Sequence, residues 1–208
     1  VCALARHFET VFAGNQNGQV EADCCIDTKN LLLACKEYVS VLKDMGERQV
    51  AYDMQGNVKK LEALYYKSPA HRRTTISELL KFEKTMGIHQ PGRLKDPSGA
   101  MGLLWIRRSL SCQHRMYGML LENRDPQEAA VEAYTVELQP YHGWLLRKLA
   151  LGKTAPPRHE TLAKIGGFKN EGFGELEEAA TVNDLHQLLS TWRPILDRCI
   201  RVYADLDI

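Results

Sequence analysis

Apolar residues recur at three- and four-residue intervals along most of this chain, while the patterns that make strands are nearly absent. That periodicity is the strongest constraint on the fold, because one face of a helix repeats about every 3.6 residues and one face of a strand every second residue. β-Branched clusters are few, and the one Asn-Gly dipeptide, at 17–18, lies in a polar stretch rather than between alternating apolar runs. Helices are expected near residues 2–14, 26–46, 51–67, 71–88, 98–122, 126–151, 158–166 and 181–205. Gly46, Ser68-Pro69, Gly87, Pro91-Gly92, Pro97, the stretch from Asn123 to Pro126, Gly152, Pro156-Pro157 and the glycine-rich 166–174 punctuate them. Asp125 ahead of Pro126 reads as an N-cap with proline at the first helical position. Pro140 falls inside the run 126–151, where it removes a hydrogen bond at a cost of about 3 kcal/mol. Either the helix kinks just before Tyr141 or two helices meet there, and both options re-aim His142.

With 208 residues, 44% of them hydrophobic, the chain can bury a sizeable core, and one all-α domain over 1–208 is expected. A net charge of +1 argues against a nucleic-acid partner, which needs clustered Lys and Arg. No run of about 18 apolar residues exists to span a bilayer, and the first residues hold no signal-peptide-like apolar stretch. The six cysteines (Cys2, Cys24, Cys25, Cys35, Cys112, Cys199) contain no Cys-x-x-Cys pair and do not form the dense framework of a small secreted domain. Buried or free thiols in a reducing cytoplasm are the expectation. The histidines are equally dispersed, with no His-x-x-x-His and no His-Glu-x-x-His, so neither a metal nor a cofactor is expected.

Chemistry concentrates in three stretches. Asp53, Asn57 and Lys60 stand at i, i+4 and i+7 in a helical run and so share one stripe. Leu103-Leu104-Trp105-Ile106-Arg107-Arg108 follows, then Tyr141-His142-Gly143-Trp144. Read singly, each residue has an ordinary explanation. Asp53 suits a helix start, Asn57 and Lys60 suit a solvated face, Trp105 suits a core, and a lone His142 beside apolar residues suits a satisfied structural histidine. Together, an aromatic face, a carboxylate, an amide, a lysine and an imidazole suit a polyhydroxylated headgroup with an amide beside it. No Ser or Cys nucleophile accompanies them in a recognised motif, so a hydrolase using His142 and Asp53 is disfavoured.

The Asp-x-x-x-Asn-x-x-Lys helix, the Leu-Trp-Ile-Arg-Arg helix and the Tyr-His-Gly-Trp segment resemble the glycolipid transfer protein family, in that family's order and near its separations, from about residue 26 to the C-terminus. The resemblance implies a two-layer helical sandwich enclosing a hydrophobic pocket for lipid chains. It implies a non-enzymatic protein that moves glycosphingolipids between membranes, with transient membrane contact and a cytoplasmic location. Asp53, Asn57, Lys60, Trp105 and His142 would hold the headgroup. Trp105 would stack on the sugar, and His142 would donate to the ceramide amide carbonyl while Asp53 accepts its N–H. Arg108 would hold acidic partners in place, with Arg107 solvated. Leu42, Met45, Val50, Met101, Met116, Leu138 and Leu149 would line the chain pocket, and Trp144 would touch the membrane. The family's ceramide-1-phosphate branch is similar but has Lys at Asn57, Arg at Trp105 and Arg at Met101, so the resemblance favours a sugar site. The ending Tyr203-Ala-Asp-Leu-Asp-Ile208 does not clearly match a tyrosine that the glycolipid members carry. The competing expectation keeps the fold but makes it a sensor of glycolipid or ceramide-1-phosphate acting through an unknown protein partner.

Overall fold

The computed structural model describes residues 2–12, 25–90, 92–152, 154–169 and 172–207, with the side chains of residues 2, 3, 145 and 149 excepted. The Asn17-Gly18 dipeptide, Cys24, Pro91, the end of the expected 2–14 helix, and the side chains of Cys2 and Leu149 lie outside the described residues. The described residues form α1 (Cys2–Glu9), α2 (Thr28–Asp44), α3 (Arg48–Lys67), α4 (Ile76–Thr85), α5 (Gly99–Leu121), α6 (Pro126–Glu137), α7 (Trp144–Leu151), α8 (Arg158–Gly166) and α9 (Glu175–Leu206). Short 3-10 turns stand at Ala70–Arg72 and Gln139–Tyr141. Extended pairing among the described residues is limited to isolated bridges: Phe12 with Ile26, Asp27 with Thr75, and Gln90 with Arg93. No helix is long and apolar enough to cross a membrane among the described residues.

The chain divides into two units, one made of 1–5 and 108–192, the other of 6–107 and 193–208; α1, α5 and α9 contribute residues to both. In the 6–107 unit, α2 opens where Asp27 Oδ1 accepts the Asn30 N–H at 2.8 Å. Its buried stripe, Leu31, Cys35, Tyr38 and Leu42, packs on α3, which buries Ala51, Met54, Val58 and Leu61. Each such leucine contributes about 1.5–3 kcal/mol by leaving water. Gly46, at φ +77°, closes the turn between these helices in a conformation few L-residues adopt.

The start of α5 is built by a buried acid. Along α4 the buried face reads Ile76, Leu79, Leu80, Glu83, and Glu83 is 2% exposed. Its two carboxylate oxygens each accept one backbone N–H, from Gly99 and Ala100, both at 2.7 Å. A carboxylate at a helix N-terminus satisfies orphan donors and meets the positive end of the dipole. Ser98 Oγ takes the Met101 N–H at 3.0 Å. His89 Nε2 stands 3.4 Å from Glu83 Oε2, while its Nδ1 accepts the Lys95 N–H at 3.2 Å. Tyr203, in α9, donates to the Ala100 carbonyl at 2.6 Å. Glu83→Ala strips two charge-assisted bonds from a buried helix end. It is expected to cost about 3 kcal/mol and to lower Tm by roughly 6–12 °C; a calorimetric melt checks it.

In the 108–192 unit, Asp125 caps α6 as the sequence implies, its Oδ1 accepting from Gln127 and Glu128 at 2.9 and 3.1 Å. The expected helix 126–151 is two helices. α6 ends at Glu137, Pro140 sits in the 3-10 turn, and α7 begins at Trp144 behind Gly143. Pro140 lacks the N–H that would continue α6. Gln127 Oε1 holds the segment before α8 by accepting the Ala155 N–H at 2.6 Å. Tyr117 and Trp192 stack with centroids 6.2 Å apart, and Arg158 pairs with Glu178.

The expectation of buried or free thiols fits the described cysteines, of which Cys35, Cys112 and Cys199 are buried and Cys25 is partly exposed, all four free. Burial pushes the Cys112 and Cys199 thiols up to about 12. Burial, with Cys199 nearby, also pushes the Cys35 thiol up. These three stay protonated at neutral pH and are poor nucleophiles.

Candidate functional site

In the 6–107 unit the expected stripe of α3 is present, with different surroundings for each member. Asp53 is exposed, Asn57 is buried at 5% exposure, and Lys60 is half-buried. Asn57 is therefore not the solvated polar residue of the ordinary explanation. Its Nδ2 donates to the Asp53 carbonyl at 3.1 Å and lies 3.4 Å from Asp53 Oδ2, so the amide and the acid are held together. Lys60 Nζ pairs with Asp96 Oδ1 at 2.8 Å, tying α3 to the segment that leads into α5.

Trp105 reaches this neighbourhood through two glycines of α5. A Cβ on Gly99 would meet Leu64 at 2.3 Å, and one on Gly102 would meet the Asn57 carbonyl oxygen at 2.6 Å and Lys60 Cβ at 3.0 Å. Contacts that run forward on α5 and backward on α3 mean the helices cross antiparallel at close range. One turn beyond Gly102, Ile106 continues the contact stripe and is buried, with the half-buried Trp105 on its flank. One turn before Asn57 stands Asp53. By backbone register, Trp105 and Asp53 thus stand at about the same level of the two helices.

His142 and Trp144 belong to the other unit. His142 follows the 3-10 turn with extended backbone, φ −95° and ψ 141°, and is half-buried. Its Nδ1 is 3.1 Å from Tyr134 Oη, the rings 5.6 Å apart, and its carbonyl accepts from Arg147 Nε at 2.7 Å. Arg108, expected to hold acidic partners, lays its guanidinium 3.3 Å from the Tyr141 ring centroid. Burial holds the Tyr134 hydroxyl above the usual phenol range, against the opposing pull of Arg147. Trp144 opens α7 with three-quarters of its surface exposed, at 75%, so it is not packed inside.

Among the expected pocket residues of the 6–107 unit, Leu42 is fully buried and Met45, Val50 and Met101 are half-buried. In the other unit Met116 and Leu138 are half-buried, and Leu149 has its side chain outside the described residues. No group of His, Cys, Asp and Glu able to hold a metal occurs among the described residues. Sequence reasoning missed Glu83, Asp96, Tyr134 and Arg147. Glu83 carried a usable signal, an acid at i+7 on an otherwise apolar helical stripe.

A family model for glycolipid transfer proteins (GLTP) matches residues 26–167, two-thirds of the chain. The chain belongs to the glycolipid transfer protein family. Members of that family are lipid transfer proteins rather than enzymes. The glycolipid transfer protein of Danio rerio is 25% identical over 210 residues, covering 93% of this chain and 96% of its own length. The pleckstrin homology domain-containing family A member 8 of Canis lupus familiaris is 26% identical over 207 residues. There the match covers 96% of this chain but 38% of that protein, so the chain spans well under half the length of that relative. Among solved structures, one concerned with how FAPP2 selects simple glycosphingolipids using the GLTP fold superimposes with a TM-score of 0.73 at 25% identity, covering 89% of each chain. Human ceramide-1-phosphate transfer protein bound to 12:0 ceramide-1-phosphate superimposes with a TM-score of 0.79 at 16% identity, covering 99% of this chain and 95% of that one. Both likenesses place the helices in the GLTP fold, and at 16% the second speaks to the fold alone.

Proposed function

We propose that this GLTP-family protein is a non-enzymatic carrier of glycosphingolipids between membranes, working at cytoplasmic membrane surfaces. The observation that supports a sugar headgroup is the pairing of Asp53 with the buried Asn57 on α3, level with Trp105 on α5. Sugar hydroxyls both donate and accept, and a carboxylate beside an amide answers both needs. The C–H face of a pyranose suits an indole. Lys60, half-buried and paired with Asp96, donates to sugar oxygens from the edge of this group. In the other unit, His142 donates to the carbonyl of the ceramide amide. A diacylglycerol ester offers no N–H for Asp53, and a site that leaves a polar partner unpaired rejects the wrong ligand strongly.

Transfer itself needs no bond to be made. An alkyl chain leaving a bilayer for water loses about 0.8 kcal/mol per CH₂, roughly 13 kcal/mol for sixteen carbons. An apolar sleeve removes most of that barrier, and Met45, Met101 and Met116 suit chains of varied length because methionine repacks easily. Trp144, exposed at the start of α7, gives the protein an amphipathic ring for brief contact with the bilayer interface. A near-neutral charge of +1 leaves it free to depart afterwards.

Movement of labelled glucosylceramide between neutral vesicles tests this reading, with ceramide-1-phosphate and diacylglycerol in parallel. Glucosylceramide is expected to move fastest, and Trp144→Ala to slow its transfer several-fold without changing the thermal melt. Preference for ceramide-1-phosphate would overturn the sugar reading. Slow transfer combined with lipid-dependent capture of a protein would favour a sensor.

A further inference from the structure

We propose that Tyr134 is a positioning residue that fixes His142 as the neutral tautomer protonated on Nε2, so that the imidazole presents an N–H to the amide carbonyl of a sphingolipid. This rests on the glycolipid reading above for the identity of the ligand, and on the geometry of α6 and the following turn for the tautomer. Imidazole has two nitrogens, and the hydrogen bond made by one decides which of them carries the proton. Here the Tyr134 hydroxyl lies 3.1 Å from Nδ1. Tyr134 is 8% exposed on the buried side of α6, and its hydroxyl keeps its proton throughout the neutral range. Among the described residues Nδ1 is the acceptor within reach of that proton. If Nδ1 were itself protonated, the phenol would lose its acceptor where water is scarce, which is the costly case of a buried donor left unmade. The stable arrangement has Tyr134 Oη–H donating to a bare Nδ1, which leaves the proton on Nε2.

Two further contacts fix the backbone segment that carries the ring. Arg147 Nε donates to the His142 carbonyl at 2.7 Å, and Arg108 covers the Tyr141 ring next to it. Pro140 ends the α-helical hydrogen bonding just before, and the extended backbone at His142 is held by its own N–H on the Gln139 carbonyl at 3.3 Å together with Arg147. The consequence is a matter of sign. An Nε2–H facing a carbonyl oxygen is a hydrogen bond, whereas the other tautomer sets a lone pair against a lone pair.

The test uses the full chain with ¹⁵N-labelled histidine. Long-range proton–nitrogen correlation at neutral pH is expected to show His142 with the Nε2-protonated pattern, the signals being assigned by their loss in His142→Gln. Tyr134→Phe keeps the ring and removes one oxygen. It is expected to shift the His142 pattern toward a mixture of tautomers and to slow glucosylceramide transfer about three- to tenfold, the value of one hydrogen bond. A wild-type spectrum with Nδ1 protonated, or a Tyr134→Phe protein with unaltered spectrum and transfer, overturns the proposal. Undiminished transfer in His142→Gln would sink the ligand role of His142 and the proposal's functional half with it. Transfer lost in His142→Gln but kept in Tyr134→Phe overturns the role of Tyr134 and leaves the glycolipid reading standing.

Discussion

Asp53→Val is expected to reduce glucosylceramide transfer about a hundredfold while leaving the fold intact. The size follows from the bonds removed. A hydrogen bond to a charged group is worth about 1.5–3 kcal/mol, and Asp53 is proposed to accept at least two, from the ceramide amide and from a sugar hydroxyl. Two such bonds correspond to two orders of magnitude or more in affinity. The fold should tolerate the change because Asp53 is exposed on the second turn of α3, where valine and aspartate have nearly equal helix propensity. Asn57 keeps a partner, since its Nδ2 already donates to the Asp53 backbone carbonyl at 3.1 Å. This separation of function from stability makes Asp53 a better probe than Trp105, whose half-buried ring would take packing with it when truncated. Vesicle transfer together with a thermal melt reads both quantities. Unchanged transfer would remove Asp53 from the site and the amide-recognition argument with it.

What the sequence told about this fold depended on whether the deciding interaction was local. Helices followed from apolar spacing, and the Asp125-Pro126 cap could be read because its partners, Gln127 and Glu128, are two and three residues away. Pro140 announced a break but not its form, since a kink and a 3-10 turn between two helices use the same residue. α9 begins at Glu175 rather than near 181. The expected start stopped at the glycine-rich 166–174 and undervalued Glu175, Glu177 and Glu178, which favour the positive end of a helix. Glu177 also reaches back to accept the Gly174 N–H at 3.0 Å. The same helix runs through Pro194 without ending. Non-local partners were invisible. Nothing beside Lys60 in sequence points to Asp96, and nothing beside Glu83 points to the N–H groups of Gly99 and Ala100. At the candidate site, the residue types and their stripe on α3 were legible, whereas the burial of Asn57 and the Tyr134 contact to His142 needed the folded chain.

The glycines of α5 show how far that non-local information controls the site. Gly102→Val is expected to destabilise the protein by about 3 kcal/mol or more, because overpacking against atoms that cannot yield is costly. A Cβ there would sit 2.6 Å from the Asn57 carbonyl oxygen and 3.1 Å from the Leu61 backbone nitrogen. Both are backbone atoms inside α3, so relief requires α3 and α5 to separate rather than a side chain to turn. Separation moves Asn57 and Lys60 away from the level of Trp105, and transfer should fall with stability. Gly56, on α3 itself, supplies the contrast. It has nothing within 4 Å of a built Cβ, so Gly56→Ala should raise stability by about 0.5–1 kcal/mol, the ordinary gain of replacing a mid-helix glycine. The two substitutions lie close together in the fold and both put a Cβ on a helical glycine, yet they are expected to shift the melt in opposite directions. Were Gly102→Val to melt with the wild type, the helices would not cross as closely as these distances require, and the level shared by Trp105 and Asp53 would lose its structural basis.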